Sequence, residues 1–423
     1  MERVKQNYHW IIALLIFIEM FLFGGLLNSV SVFLIPISDS LQVSRGNYSL
    51  AMVPYNVACT LSTMVSGYLF NRFGYKRSVI GGLAFSALSL VMTATCRSLA
   101  GFCFSKILLG IGYGVCFTAG AVRIVKDWFF KYYGLVFGVV SMSSGLGGSF
   151  LTIVLTKLIQ HSGWRVTTIL LAILLAITVL LFVAFMKSRP EEVGLTPYGF
   201  GTVGPTKKKA KESEWAGCSF AEWCRRPLFY LMVIASLVCC LAMFLTIKVV
   251  LPHLQDQGFS PEEAAKYQSV NMLGLAIAKL LCGAATDKLG PKSVSIFCIV
   301  CGAIGQLLLS SNTNPVLTYG GIILCGVGLC MTSIMIPLLV IPLFGYQAAA
   351  GINSVTLAMV SIANIFAEPI ANLSYDRIGT YSPVFVVAAI MNICIIPLLL
   401  LVYLLAQKEK KRHIINARFA NSQ

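Results

Sequence analysis

Charged residues are scarce in this sequence. Of its 423 residues, 11% are Asp, Glu, Lys or Arg and 57% are hydrophobic, whereas a soluble globular domain carries about 25% charged and about 45–50% apolar residues. Acidic residues are the fewest, with 16 Asp and Glu against 32 Lys and Arg. This composition argues against a water-soluble enzyme and favours an integral membrane protein.

Catalytic and nucleotide-binding motifs are also lacking. The sequence has no Walker string, no HExxH and no nucleophile elbow, and no strand precedes the glycines of Gly145–Gly148, which we interpret as a helix contact. Cys298 and Cys301 form a CxxC inside an apolar run, where we interpret them as small buried side chains. We therefore predict no enzyme activity, no catalytic residue, no cofactor and no metal site.

Continuous apolar runs occupy most of the chain. Their lengths suit transmembrane helices, which need about 20 apolar residues, and not the alternating strands of a membrane β-barrel. We therefore predict an all-α integral membrane protein with twelve transmembrane helices. The predicted spans are 9–36, 48–71, 78–96, 99–124, 133–159, 165–187, 227–252, 264–286, 293–311, 316–343, 349–374 and 382–406.

The basic residues predict the topology. Most Lys and Arg lie in the two tails and the even-numbered connections, so both termini are predicted to be cytoplasmic. One long polar stretch carries Lys207–Lys209 and separates six spans from six. Within it, Ser219–Arg226 either lies along the inner membrane surface or forms a solvated loop. The predicted domains are an N-terminal six-helix bundle at 1–187, a cytoplasmic linker at 188–226, a C-terminal six-helix bundle at 227–406 and a cytoplasmic tail at 407–423.

A short string is repeated after the second and the eighth span. Each copy has Gly, Asn or Asp, Gly and Lys at the same spacings, and the copies stand at equivalent places in the two halves. We expect the first Gly to let helix ends approach closely, the polar residue to cap or pair, and the cations to reach the last carbonyls of a neighbouring helix. Such contacts can form in one arrangement of the two halves and break in another, and we therefore call them a latch. The predicted latch residues are Gly67, Asn71, Arg72, Gly74, Lys76 and Arg77 in the first copy and Gly283, Asp287, Lys288, Gly290 and Lys292 in the second.

With these two pseudo-symmetric six-helix bundles, the chain resembles the major facilitator superfamily over nearly its whole length. In that family the acid of the string pairs with a basic residue in the outward-facing state, so Asn71 implies a weaker latch in the first half. A finer resemblance is to the monocarboxylate transporters and oxalate:formate antiporters. It rests on Asn7–Trp10, Asp127–Phe129 with Gly134, Gly163–Arg165, Arg189–Leu195 with Pro197–Gly199, Gly258–Ser260 with Ala264–Ala265, and Tyr375–Tyr381.

Three lysines lie within the predicted spans, where a charge costs about 2.5–3.5 kcal/mol on insertion scales. The position of Lys279, four residues before Gly283, resembles that of the substrate-binding arginine in monocarboxylate transporters, although a lysine cannot make the bidentate pair of a guanidinium. Lys106 and Lys248 either contact substrate or snorkel to the surface. Asn28 aligns with the family's span-one lysine. The predicted substrate-binding residues are Lys279, Asn28, Lys106 and Lys248.

Two acids also lie within spans. Glu19 is interpreted either as a proton carrier or as one partner of a static ion pair with a lysine. Glu368 precedes Pro369, which loosens the helix, so Glu368 either reaches the cavity or is a solvated acid at a helix end. We predict that both residues serve in proton coupling or charge pairing.

These features predict a secondary active transporter that moves a small organic anion, with a monocarboxylate as first candidate, by alternating access. Proton symport and anion exchange both remain open. An efflux carrier for amphiphilic drug-like compounds is the alternative, and a non-transporting membrane sensor is the alternative from another class. The predicted partners are the organic anion, protons under symport and the lipid bilayer, without nucleic acid. We expect a functional monomer that crosses the plasma membrane many times.

Overall fold

The computed structural model describes residues 8–116, 118–130, 133–199, 217–311, 314–345 and 347–420. Within them the regular structure is helical, apart from one isolated bridge between Phe129 and Tyr198. The predicted linker residues Lys207–Lys209 lie outside these ranges.

The first half contains six spans. Span one is broken at Ser29, and span four is described on both sides of residue 117. Spans five and six are two helices that meet at Gly163, whose backbone is not helical. The bounds are Tyr8–Asn28 and Val30–Leu41 for span one, Arg45–Phe73 for span two, Tyr75–Thr95 for span three, Leu99–Cys116 and Thr118–Trp128 for span four, and Tyr133–Phe185 for spans five and six.

The second half repeats this order. The bounds are Pro227–Asp256 for span seven, Pro261–Ser311 with a kink at Gly290 for spans eight and nine, Pro315–Gly328, Met331–Met335 and Ile336–Phe344 for span ten, Ala349–Ile378 for span eleven and Ser382–Ala420 for span twelve. Most predicted bounds agree within about four residues. The last helix instead continues to Ala420, so most of the predicted tail is helical.

Nine helices in the described part of the chain are long and apolar enough to cross a membrane. Spans five and six count once because only the single non-helical residue Gly163 separates their helices. Spans two and eight fall outside this number because polar and charged residues lower their mean hydropathy. Spans two and eight, the less apolar pair, occupy equivalent places in the two halves. With these two spans the described helices make up the predicted twelve, and this prediction of the fold is confirmed.

The turns between consecutive spans repeat in backbone conformation. Gly74, between spans two and three, has φ 80° and ψ 158°, and Gly290, between spans eight and nine, has φ 78° and ψ 154°. Gly163 and Gly379 both have φ 79° and join spans five to six and eleven to twelve. These left-handed values favour glycine. Both pairs have the same sequence separation as the two copies of the repeated string, so the duplication extends to the backbone.

Each half has a hydrophobic core of its own. One core is built from buried side chains between Ile12 and Met186, and the other from buried side chains between Cys218 and Ala406. By compactness the chain divides into two units. Unit one is Met1–Thr206 with Leu254–Leu273 and Tyr375–Arg377, and unit two is Lys207–His253, Gly274–Ser374 and Ile378–Gln423.

Small residues bring helices into backbone contact within unit one. A Cβ added at Gly147 in span five would lie 1.9 Å from the Phe21 carbonyl oxygen of span one. The interpretation of Gly145–Gly148 as a helix contact is therefore confirmed. A Cβ added at Gly67 or Gly283 would meet no atom within 4 Å. The expected close approach of helix ends at these two glycines stays a prediction.

The segment Ser219–Arg226 is packed into unit two. It forms the short helix Phe220–Trp223, whose start is capped by Ser219 and Glu222, and the hydrogen bond from the Ser219 amide lowers the pKa of the Glu222 carboxyl. Trp223 is fully buried, and its indole Nε1 donates a hydrogen bond of 3.1 Å to the Phe344 carbonyl. The burial of this ring argues against a fully solvated loop. The placement of the segment along the inner membrane surface stays a prediction.

The other end of the predicted linker is fixed in a related way. The Tyr198 amide donates a hydrogen bond of 2.8 Å to the carbonyl of Trp128, at the end of span four. Trp128 and Phe344 have the same separation as Gly74 and Gly290, and they hold equivalent positions at the ends of spans four and ten. We call the Tyr198–Trp128 and Trp223–Phe344 contacts the two linker anchors. Each anchor joins the linker to its own half.

The Gly147 contact predicts a position-specific effect of an added methyl group. Gly147→Ala forces the methyl group against backbone atoms of span one and should cost about 1–3 kcal/mol or more. Gly138→Ala in the same span is the matched control, because its Cβ would meet nothing within 4 Å. Thermal unfolding in detergent should show a lower Tm for the first variant and an unchanged or higher Tm for the second. Equal Tm values would contradict the close packing.

Candidate functional site

A pocket within unit one surrounds Lys106. Its walls come from spans one, two, three, four and six, and its volume is about 50 Å³. Only 8% of Lys106 is exposed. The other lining residues are mainly apolar or aromatic, and among them are Phe23, Phe33, Tyr48, Met52, Tyr55, Thr93, Tyr113, Thr168 and Leu171.

Hydrogen bonds beside Lys106 hold its helix against span three. The Ser89 hydroxyl donates to the Ser105 carbonyl at 2.6 Å, and the hydroxyls of Thr93 and Ser105 lie 2.9 Å apart. The Lys106 Nζ lies 4.9 Å from the centre of the Phe102 ring. No acidic side chain that the structure describes lies within 4 Å of it. The pocket thus presents one cation without a counter-ion to an apolar space, which suits an anion with an apolar body.

Lys248 and Glu368 form an ion pair within unit two. The Lys248 Nζ lies 3.9 Å from the Glu368 Oε2, and their side chains are 16% and 5% exposed. The alternative of Glu368 as a solvated acid at a helix end is therefore wrong. Glu368 was predicted to serve in proton coupling or charge pairing, and the contact with Lys248 is consistent with charge pairing. Lys248 differs from Lys106 in that a carboxylate neutralises it.

Glu19 lies inside unit one and is fully buried. Tyr75 and Cys116 are its titratable neighbours, and no described lysine or arginine of unit one pairs with it. A static ion pair with Lys106 is therefore not formed, and the alternative of a proton carrier stays a prediction.

Two other candidates are not among the residues that line the Lys106 pocket. The Asn28 amide lies 3.5 Å from the Ser144 carbonyl of span five, and Asn28 does not line the pocket. Lys279 is partly buried in span eight of unit two, where Cys330 is a neighbour. The structure thus places Lys106 and Lys279 in different units, and their roles in substrate binding remain predictions.

The repeated string makes related contacts in both halves. The Lys76 Nζ donates a hydrogen bond of 2.7 Å to the Val183 carbonyl near the end of span six, and the Lys292 Nζ lies 5.6 Å from the centre of the Tyr403 ring in span twelve. Arg72 donates to the Tyr68 hydroxyl at 2.7 Å. Asn71, Arg77 and Lys288 are exposed, and the Asp287 side chain lies outside those described. The latch itself remains a prediction.

A cluster around Arg45 was not predicted from the sequence. The Arg45 guanidinium donates to both carboxylate oxygens of Asp256, at 2.7 and 2.9 Å, and lies 4.1 Å from the centre of the Tyr375 ring. The next amide, that of Gly46, donates to Asp376 at 2.9 Å. Tyr375 and Asp376 belong to Tyr375–Tyr381, one of the segments that resemble the monocarboxylate transporters, and this resemblance was the one sign of the cluster in the sequence. The bonded residues are 211 and 330 positions apart, so sequence spacing does not predict that they pair.

Three of the segments that resemble the monocarboxylate transporters meet in one aromatic cluster in unit one. They are Asn7–Trp10, Asp127–Phe129 and Pro197–Gly199. His9 lies 5.6 Å from Trp128 between ring centres, and its Nε2 is 2.9 Å from the Thr196 carbonyl oxygen. Trp10 lies 5.5 Å from Phe129 and 5.8 Å from Tyr198. The ring contacts of these three segments therefore pack the start of span one against the first linker anchor.

Comparison with known proteins assigns these features to one family. The family model described as Major Facilitator Superfamily matches residues 10–261 and 232–420. The Nitrite extrusion protein of Bacillus subtilis is 22% identical over 391 residues, or 91% of each chain. Monocarboxylate transporter 12 of Xenopus laevis is 22% identical over 78% of this chain and 74% of that protein. The Fujikurins efflux protein of Gibberella fujikuroi is 24% identical over 79% of this chain, which spans 62% of its length.

The fold matches solved structures as well. The crystal structure of the nucleoside transporter NupG superposes with a TM-score of 0.73 and 14% sequence identity, covering 94% of this chain and 100% of that one. At this identity the likeness shows the fold alone.

The buried Lys248–Glu368 pair predicts strong energetic coupling. Lys248→Met or Glu368→Met alone leaves one enclosed charge without its partner and should cost about 3 kcal/mol. The double variant removes both charges and should recover most of that loss. Thermal unfolding of the four proteins in detergent gives the double-mutant cycle. Additive effects of the two substitutions would show that the pair is not coupled.

Proposed function

This chain belongs to the Major Facilitator Superfamily, and we propose that it carries a small organic monocarboxylate across the membrane by alternating access. We further propose that it works as a monomer in the plasma membrane with both termini cytoplasmic, as its basic residues indicate.

The observation that carries this proposal is the unpaired Lys106 in its apolar pocket. One ammonium group matches one carboxylate, and the surrounding apolar walls strengthen that attraction because they exclude water. A monocarboxylate satisfies both features, whereas a dicarboxylate would leave its second charge without a cation from this pocket. The relatives named for nitrite extrusion and monocarboxylate transport support an anionic substrate.

The size of the pocket supports a short substrate. Its volume is about 50 Å³, and one water needs about 10–15 Å³ on this measure. The space therefore suits an anion of roughly four water-sized groups, such as a short-chain carboxylate.

Lys279 is the second cation in this proposal. It carries no ion pair with a described side chain, and its position resembles that of the family's substrate-binding arginine. A lysine attracts a carboxylate as a point charge, so we expect it to contribute to affinity without the geometric selectivity of a guanidinium.

Efflux of amphiphilic compounds is the alternative function. The named efflux protein among the relatives and the apolar walls around Lys106 favour it, and the small pocket volume disfavours it. Competition between transported acetate and hydrophobic cations would support the alternative, whereas competition with other short acids would support the proposal.

The role of Lys106 predicts a transport defect. In proteoliposomes, Lys106→Met should reduce uptake of radiolabelled acetate or pyruvate at least about tenfold, because loss of one charge-assisted contact costs roughly 1.5–3 kcal/mol. Lys157→Met removes an exposed cation from span five and should leave uptake unchanged. Normal uptake by the Lys106 variant would refute the assignment of this pocket. Normal uptake by Lys279→Ala would remove Lys279 from the proposed site.

The coupling mode is tested in the same vesicles. Accumulation driven by an imposed pH gradient is expected for proton symport, whereas uptake that requires internal anion is expected for exchange. If neither condition produces uptake of any short monocarboxylate by the unaltered protein, the proposed substrate class is wrong.

A further inference from the structure

Exposed lysines follow directly on the lipid-facing surface of the last helix. Within Ser382–Ala420, Leu401 is 44% and Leu404 is 63% exposed, as expected of apolar side chains that face lipid. Lys408 and Lys411 are exposed as well, and they stand four and seven residues after Leu404. These spacings place Leu404 and the two lysines on one face of the helix. The lysines therefore continue the lipid-facing surface beyond its apolar part.

The helix carries these lysines to the depth of the lipid headgroups. With a rise of about 1.5 Å per residue, Lys408 lies about 6 Å and Lys411 about 10 Å beyond Leu404. The polar layer on each side of a bilayer is roughly 5–8 Å thick. Tyr230, in the first turn of span seven, is 55% exposed, and exposed tyrosines are typical of the same boundary. We therefore expect the ends of both spans at headgroup level.

An ion pair joins the last helix to the residue that precedes span seven. The Arg226 guanidinium donates a hydrogen bond to the Glu409 carboxylate, and both residues lie within unit two. Glu409 is the only acidic residue of the predicted tail 407–423, so this pair neutralises the one negative charge of the tail. Arg225 and Lys408 are the exposed neighbours of the two partners in the sequence. The pair thus brings these two cations to one surface.

The cations around this pair have no carboxylate of their own. No acidic side chain that the structure describes lies within 4 Å of Arg225, Lys408 or Lys411. In the sequence, four of the five residues 408–412 are Lys or Arg. Clusters of about four to eight such residues directly beside a transmembrane helix are typical of binding to anionic lipids. A soluble anion would use the charges alone, whereas a phospholipid also covers the exposed leucines.

We propose that Arg225, Lys408 and Lys411 form a binding site for the headgroup of an anionic phospholipid. The headgroup phosphate lies among the three cations, and an acyl chain of the same lipid lies along Leu401 and Leu404. We call this surface the headgroup site. Its contact with the inner leaflet rests on the proposed cytoplasmic position of the termini, whereas binding of the lipid does not.

Native mass spectrometry of the full chain in detergent tests the headgroup site, because it resolves individual bound lipids. The unaltered protein should bind phosphatidylglycerol more tightly than phosphatidylcholine with the same acyl chains. The double variant Lys408→Gln, Lys411→Gln should lose at least about tenfold of this preference, because each cation beside an anionic surface contributes roughly fivefold. An unchanged preference in this variant would overturn the proposal.

The double variant Lys157→Gln, Lys266→Gln is the matched control. It also removes two exposed cations from membrane-spanning helices, but on the side that is predicted to be external. Its preference for phosphatidylglycerol should equal that of the unaltered protein. An equal loss in both double variants would show attraction to net charge without a site, and would overturn the proposal.

The unaltered protein distinguishes a lipid from a soluble anion without any variant. Glycerol 3-phosphate carries a phosphate charge but no acyl chain, so it should not displace phosphatidylglycerol at equal concentration. Displacement at equal concentration would assign the surface to a soluble anion and would refute the headgroup site. No transported substrate takes part in these measurements, so their outcome is independent of the proposed transport of a monocarboxylate.

Discussion

A charge enclosed by apolar helices has to be balanced, and this requirement governs the interior of the protein. Within unit two, Lys248 and Glu368 balance each other. Within unit one, the described neighbours leave both Lys106 and Glu19 without a charged partner. Because an unbalanced charge is costly in such surroundings, we expect a bound anion to be stabilised beside Lys106. This expectation underlies the proposed function of the pocket.

The duplication is retained most closely in the backbone. Left-handed glycines recur at one constant spacing, and the carbonyls of Trp128 and Phe344 recur at the same spacing. The donors to these carbonyls differ, since one is the amide of Tyr198 and the other is the indole of Trp223. The two anchors thus preserve a hydrogen bond at each helix end while the groups that provide it have diverged.

Most of the helical architecture could be predicted because its causes are local. Apolar runs mark the spans, and the repeated string marks equivalent turns. The break at Ser29 carries no comparable signal, and the first span was accordingly predicted as one helix. Long-range pairs were missed for another reason. The Lys248–Glu368 pair joins span seven to span eleven, and the Arg45–Asp256 pair joins residues 211 apart. Such pairs depend on how helices pack and rotate, which sequence spacing does not encode.

The sequence identified the buried charges of the candidate site, because charges in apolar runs are conspicuous. It favoured Lys279 as the substrate-binding residue, whereas the proposed site is centred on Lys106. The anchors have a consequence for how such a chain can be divided. Since each half holds its own end of the linker through a buried aromatic residue, scission between Tyr198 and Cys218 leaves neither fragment with an uncovered helix end.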